Sequence, residues 1–147
     1  MKIDERVYNE SNKIVAVRLN KFNSKYSSKI LKCSESAEER LKAGQALLDY
    51  LCNKFKCQKV CLTITNAPRL QRGRVQFYGW YVPTEMRIRI YNVTAKTAKP
   101  VSIKSFYGTL LHEFIHHYDF AVLGFTSSPH TAGFYKRISD LQEKLSK

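Results

Sequence analysis

Histidine is missing from most of this chain: all four lie between His112 and His130. Any histidine-based site therefore belongs to that stretch. The four cysteines, Cys33, Cys52, Cys57 and Cys61, show no CxxC spacing, which argues against a second, thiolate zinc site. Free thiols, some of them buried, are the simplest expectation. No apolar run is long enough to span a membrane, and the opening residues, MKIDERVYNE, lack the apolar segment of a secretory signal. The expected setting is intracellular (cytoplasmic, or nuclear in a eukaryote), with no membrane partner. Acidic side chains are few: 12 Asp and Glu stand against 25 Lys and Arg, a formal net charge of +13. That balance favours an anionic partner, of which nucleic acid is the usual one; the alternative is solvated lysines that serve solubility alone. No internal repeat or low-complexity linker divides the chain. Its 147 residues suit a single domain over 1–147 with a real core.

Within the histidine stretch, His112-Glu113-Phe114-Ile115-His116 spells HExxH. On a helix the two histidines share one face, one turn apart, and can grip one metal ion. Glu113 sits beside that face, within reach of a water at the metal. This is the working arrangement of a zinc protease, with Zn2+ as the expected cofactor. The context is helical: over residues 102–122, Phe106, Tyr107, Leu110, Leu111, Phe114, Ile115 and Tyr118 recur at three- and four-residue steps. Pro100 and Ser102 are start signals and Gly124 is a stop. The helix is apolar over much of its circumference, so burial is expected. The alternative is a pair of core histidines satisfied by hydrogen bonds.

Zinc needs a third protein ligand and an open fourth position. His130 is the candidate. Ser127-Ser128-Pro129 is a helix start signal, and in the helix expected to follow, His130, Phe134, Ile138, Leu141 and Leu145 form one stripe. Gly133 beside it would let this helix approach the HExxH helix closely. Glu143 points roughly 140° away from that stripe, and Asp140 also lies off it. Asp119 shares the face of His112 and His116 but lies roughly 10 Å along the axis from His112. It reads as an acceptor holding an imidazole tautomer, or as a surface carboxylate. His117 is turned about 100° from His116, away from the metal. Asp119 also stands where the elongated HExxHxxGxxH pattern requires glycine, which excludes the metzincin arrangement.

Elsewhere the sequence is less specific. Ile14 to Leu19 reads as a short strand and Lys21 to Lys32 as a basic amphipathic helix. Ser36-Ala37-Glu38-Glu39 is a capping box opening a helix to about Phe55. Val60, Leu62 and Ile64 alternate as a strand closed by Asn66-Ala67-Pro68. Arg74 to Val82 and Met86 to Asn92 read as a hairpin turning at Pro83-Thr84-Glu85. Ile88 and Ile90 face one side of it, and Arg87, Arg89 and Tyr91 the other. Phe77, Tyr78, Trp80 and Tyr81, near Arg69, Arg72 and Arg74, either stack nucleobases or form an ordinary sheet core under a basic face.

HEFIHHYD followed by HTAGFYKRI resembles the SprT-like metalloproteases, which include Spartan. The preceding strand, Met86 to Asn92, and the lead-in Gly108-Thr109-Leu110-Leu111 fit the same pattern, so the resemblance covers residues 74–140. It implies His112, His116 and His130 as zinc ligands, Glu113 as catalytic base, and protein crosslinked to DNA as substrate. The sequence stops at Lys147 without the Cys-rich zinc ribbon that bacterial SprT proteins often append.

The expected architecture is an α+β zincin-like domain: a small sheet, partly antiparallel, packed on the HExxH helix with flanking helices. The expected function is zinc-dependent cleavage of protein or peptide, with DNA-associated proteins as targets and single-stranded DNA the favoured nucleic-acid partner. Tyr118, Tyr135 and Arg137 stand unranked as oxyanion donors. Two alternatives stay open: a basic nucleic-acid-binding module with a structural or idle zinc, and a zinc protease of a free regulatory protein.

Overall fold

The computed structural model describes residues 4–67, 71–72, 75–76, 78–94 and 99–147. Pro68, Arg69, Arg74 and Phe77, named above, lie outside the described residues. Among those described, the chain order is α1 (Glu5–Lys13), α2 (Lys25–Leu31), α3 (Ala37–Phe55), β1 (Cys61–Thr65), β2 (Gln71–Arg72), β3 (Val75–Gln76), β4 (Gly79–Val82), β5 (Arg87–Tyr91), α4 (Ile103–Ala121) and α5 (Ala132–Leu145). This is a small α+β domain with a mixed three-stranded sheet packed against helices.

The sheet follows from alternation. In β1, Leu62 is buried while Cys61 and Thr63 are exposed. β5 lies parallel to it in the register Leu62↔Ile88 and Ile64↔Ile90, so the apolar side chains form one face. β4 returns antiparallel through the 83–86 turn, placing Tyr81 opposite Ile88. The strand order is β1-β5-β4, and among the described residues no strand pairs with the outer edge of β4. Tyr91 lies on the face opposite Ile88 and Ile90 but is buried, because Trp80 packs edge-on against it at 5.9 Å. β2 and β3 form a separate small hairpin.

Helix α4 crosses the middle of the core. Phe106, Leu110, Leu111, Phe114, Ile115 and Tyr118 are all fully buried, as the period required. Ser102 caps its start, accepting from the Ser105 N–H at 3.1 Å. Beyond its end the chain turns at Gly124, whose φ of 72° is the left-handed conformation that favours glycine. α3 begins where the capping box placed it, with Ser36 accepting from the Glu39 N–H at 3.3 Å.

Four expectations change. Ile14 to Leu19 forms no strand. Its backbone donors go instead to side chains of α5 and α4: Val17 N–H to Asp140 Oδ2 at 2.9 Å, and Arg18 N–H to the Tyr118 hydroxyl at 3.1 Å. α1 was not foreseen; Asp4 caps it, accepting from the N–H groups of Arg6 and Val7. The basic helix expected over Lys21 to Lys32 is shorter, Lys25–Leu31. α5 starts not at Ser-Ser-Pro but after Thr131, whose hydroxyl accepts from the Phe134 N–H at 3.0 Å. His130 therefore sits ahead of the helix.

Gly133 does permit a close approach, but to α1 rather than to α4. A Cβ there would collide with the Ser11 carbonyl oxygen and come within 2.8 Å of the Asn12 carbonyl oxygen. These are backbone atoms at the end of α1, so relief requires moving that helix. Gly133→Ala should therefore destabilise the fold by about 1–3 kcal/mol despite alanine's better helix propensity. A denaturant midpoint equal to or above that of the parent chain would contradict this packing.

Candidate metal centre

α4 presents His112 and His116 one turn apart, and the segment ahead of α5 returns His130 to them. The Nε2 atom of His130 lies 3.2 Å from Nε2 of His112 and 3.0 Å from Nε2 of His116. Three nitrogens around a tetrahedral ion with bonds of about 2.0–2.1 Å would be about 3.3 Å apart. The cluster is therefore close to metal-binding size, and its geometry is that of an HExxH-type zinc-protease site.

Hydrogen bonding fixes which nitrogen of His116 is free. Ser128 Oγ donates to Asp119 Oδ2 at 2.8 Å, which uses its one proton. It must then accept from Nδ1–H of His116 at 2.7 Å. Nε2 of His116 is left with a bare lone pair aimed at His130 and His112. Asp119 is itself held by Arg137, whose Nε and Nη2 reach Oδ1 and Oδ2 at 3.1 and 2.8 Å, with both side chains fully buried. Burial pushes the Asp119 carboxyl up, and the Arg137 guanidinium works against that. Asp119 is thus no surface carboxylate. It orients the His116 imidazole through the Ser128 hydroxyl rather than directly. Ser128 was legible only as a helix-start residue.

Burial also prepares the imidazoles. It lowers His112 to about 4, helped by His130, and His116 to about 3, helped by His112 and His130. His130 is lowered by burial as well. A depressed pKa means that the neutral, metal-binding form persists into acid. A zinc-loaded sample should therefore keep its metal as pH falls through the ordinary imidazole range near 6.5, and should release it only near 4 or below, as protons reach the ring nitrogens. Half-release above pH 6, measured by elemental analysis after gel filtration, would show imidazoles of ordinary basicity.

Glu113 is 6% exposed. Burial raises its carboxyl to about 7, opposed by a hydrogen bond from the Tyr81 backbone N–H. Two clefts, of about 480 and 460 Å³, open on either side of this carboxylate. The first is lined by Tyr78, Gly79, Gly108 and Thr109, the second by Pro83, Phe120 and Ser127. Gly79, His112 and Glu113 border both, so the clefts run along β4.

The remaining sequence candidates separate cleanly. Glu143 is exposed and pairs with Lys147, and Asp140 pairs with Lys144; neither reaches the cluster. His117 turns away from it and bonds the Tyr81 hydroxyl and the Gln58 carbonyl, each at 2.7 Å. Among the oxyanion candidates, the Tyr118 hydroxyl is buried against Arg18. Arg137 spends its donors on Asp119, Ser11 and Ile14. Tyr135 is half exposed, with its ring 6.1 Å from that of His112 and 5.8 Å from that of His130.

Fold and site together define a zincin-like α+β domain with a zinc-dependent hydrolytic centre of the HExxH kind. Compared with models of protein families, with curated proteins and with solved structures, the chain matches none. No helix among the described residues is long and apolar enough to cross a membrane.

Proposed function

We propose that this chain is a zinc-dependent endopeptidase of the SprT-like kind that acts on DNA-associated proteins. The observation that carries the peptidase reading is a buried carboxylate beside three converging imidazoles, set along an edge of β4 that no strand among the described residues pairs with. His112, His116 and His130 are the ligands, and Glu113 is the general base. Zinc held there supplies Lewis acidity, making a water acidic enough to attack near neutral pH and polarising a carbonyl. Glu113, as the carboxylate, is the group that would take the water's proton and return it to the leaving amine. Tyr135, half exposed with its ring near those of His112 and His130, is our candidate donor to the developing oxyanion.

The sheet edge supports a peptide substrate. The Tyr91 N–H bonds to the Tyr78 carbonyl, so the inward-bonding positions of β4 alternate and Gly79 and Tyr81 face outward, the Tyr81 N–H onto Glu113 and Gly79 onto the clefts. An extended substrate added there would be gripped by its backbone, with little demand on its sequence. Tolerance of that kind fits a protease whose selectivity comes from co-location on DNA.

The DNA part rests on the net charge of +13, on the lysines from Lys13 to Lys32, on arginines such as Arg87 and Arg89, and on the motif resemblance. Tyr78, 46% exposed, borders the first cleft, the setting that an aromatic contact to an unpaired base would require. Binding should be sequence-tolerant, stronger for single strands, and steeply weakened by salt as counterion release is lost. Fluorescence anisotropy across a salt series, run alongside histone and casein cleavage with and without single-stranded DNA, tests it. Cleavage of histone stimulated by DNA is the expected result. Cleavage without DNA binding at low salt would leave a protease of a free protein. DNA binding without any zinc-dependent cleavage would leave a binding module.

A further inference from the structure

The four cysteines show no metal-binding spacing, yet the fold assembles two of them. α3 ends in a left-handed turn at Lys56, with φ 55°, and the Cys57 N–H folds back onto the Cys52 carbonyl at 3.1 Å. This brings Cys57 over the buried Cys52. From the other side α4 delivers His117, fully buried. A sulfur of each cysteine and a ring nitrogen of His117 all lie within 4.8 Å of one another.

The tautomer of His117 is fixed. Its Nε2 contacts the Gln58 carbonyl at 2.7 Å, and a carbonyl can only accept, so Nε2 carries the proton. Nδ1 therefore holds the lone pair, here accepting from the Tyr81 hydroxyl at 2.7 Å. An imidazole whose far N–H is anchored on a backbone carbonyl is the usual posture of a metal ligand.

We propose that Cys52, Cys57 and Nδ1 of His117 form a second metal site, for a thiophilic cation of the zinc class, with the Tyr81 hydroxyl as the neighbouring fourth donor. Two sulfurs and an imidazole select zinc-like ions against magnesium or calcium. Around zinc, sulfur–sulfur and sulfur–nitrogen separations would be about 3.6–3.8 Å, so the cluster needs only a modest contraction. The site is structural. It ties the end of α3 to α4 and, through Tyr81, to β4, whose backbone at Tyr81 also steadies Glu113. It does not depend on what the three-histidine centre does.

The test replaces zinc by cobalt(II) in the intact, reduced chain. Only a thiolate ligand gives intense near-ultraviolet sulfur-to-cobalt charge-transfer absorption; three histidines cannot. The expected result is that absorption, with about two metal ions bound per chain, persisting in His130→Ala and lost in Cys57→Ser. Zinc should also shield two thiols from a thiol reagent until a chelator is added. Should Cys57→Ser fail to fold, the spectrum of the unaltered chain decides alone. Cobalt-loaded protein without the charge-transfer absorption overturns the proposal. So does a Cys52–Cys57 disulfide whose reduction brings no uptake of a second ion.

Discussion

Glu113→Gln should retain zinc and the fold while losing about a hundred- to ten-thousand-fold in turnover, the usual worth of general-base assistance. The amide keeps the size of the carboxylate and still offers an oxygen to the Tyr81 N–H, so the helix and strand should not shift. What it cannot do is accept a proton. The site supplies no nearby substitute: Asp119 is committed to Arg137 and Ser128, and the histidines are turned toward one another. The measurement is peptide or casein hydrolysis at matched zinc content. Turnover within a few-fold of the parent would remove Glu113 from the proton path.

The second large effect is on the metal. His130→Ala should abolish stable zinc binding at the histidine centre, and activity with it. Two imidazoles one helical turn apart remain, which is one ligand short of a zinc site. The loss should exceed the roughly 10- to 100-fold that removing a merely supporting partner costs. Folding should survive, because His130 lies ahead of α5, outside the core cluster. Glu143→Ala is the informative control: its carboxylate is exposed and paired with Lys147, so zinc content should not change. Competition with a chromophoric chelator measures both variants. Unchanged affinity in His130→Ala would move the third ligand elsewhere.

These outcomes indicate where sequence reasoning has reach. α4 was legible because its apolar residues keep the helical period over its whole length, and its histidines inherit their geometry from that period. β1 and β5 were legible from alternation, and β4 from its aromatic and β-branched residues, though the arm expected over Arg74 to Val82 divides into β3 and β4 in separate sheets. The position of His130 beside the other histidines was right although the helix start was wrong, since a return of the chain was all that it needed. α1 was missed because its contact with the rest of the domain is polar: Ser11 meets Thr131, and Arg137 reaches the Ser11 carbonyl. Such bonds leave no stripe of apolar residues. The three oxyanion candidates could not be ranked because burial decides among them, and burial is a property of the assembled core. The meeting of Cys52, Cys57 and His117 lay hidden for a related reason. It depends on a helix-ending turn and on two helices distant in sequence, where spacing within one segment carries no information.

The open margin of β4 has a consequence for the protein's life in solution. An edge that is to accept an arbitrary peptide backbone, as proposed, cannot by hydrogen bonding alone refuse the same edge of another copy. The strand is only four residues long, which limits how firmly two copies could zip together. The excess positive charge keeps them apart at a distance. The edge proposed for substrate is thus also the edge that self-association would use, and added salt weakens the charge repulsion that opposes it. Salt would loosen the proposed hold on polyanions while lowering the repulsion between copies.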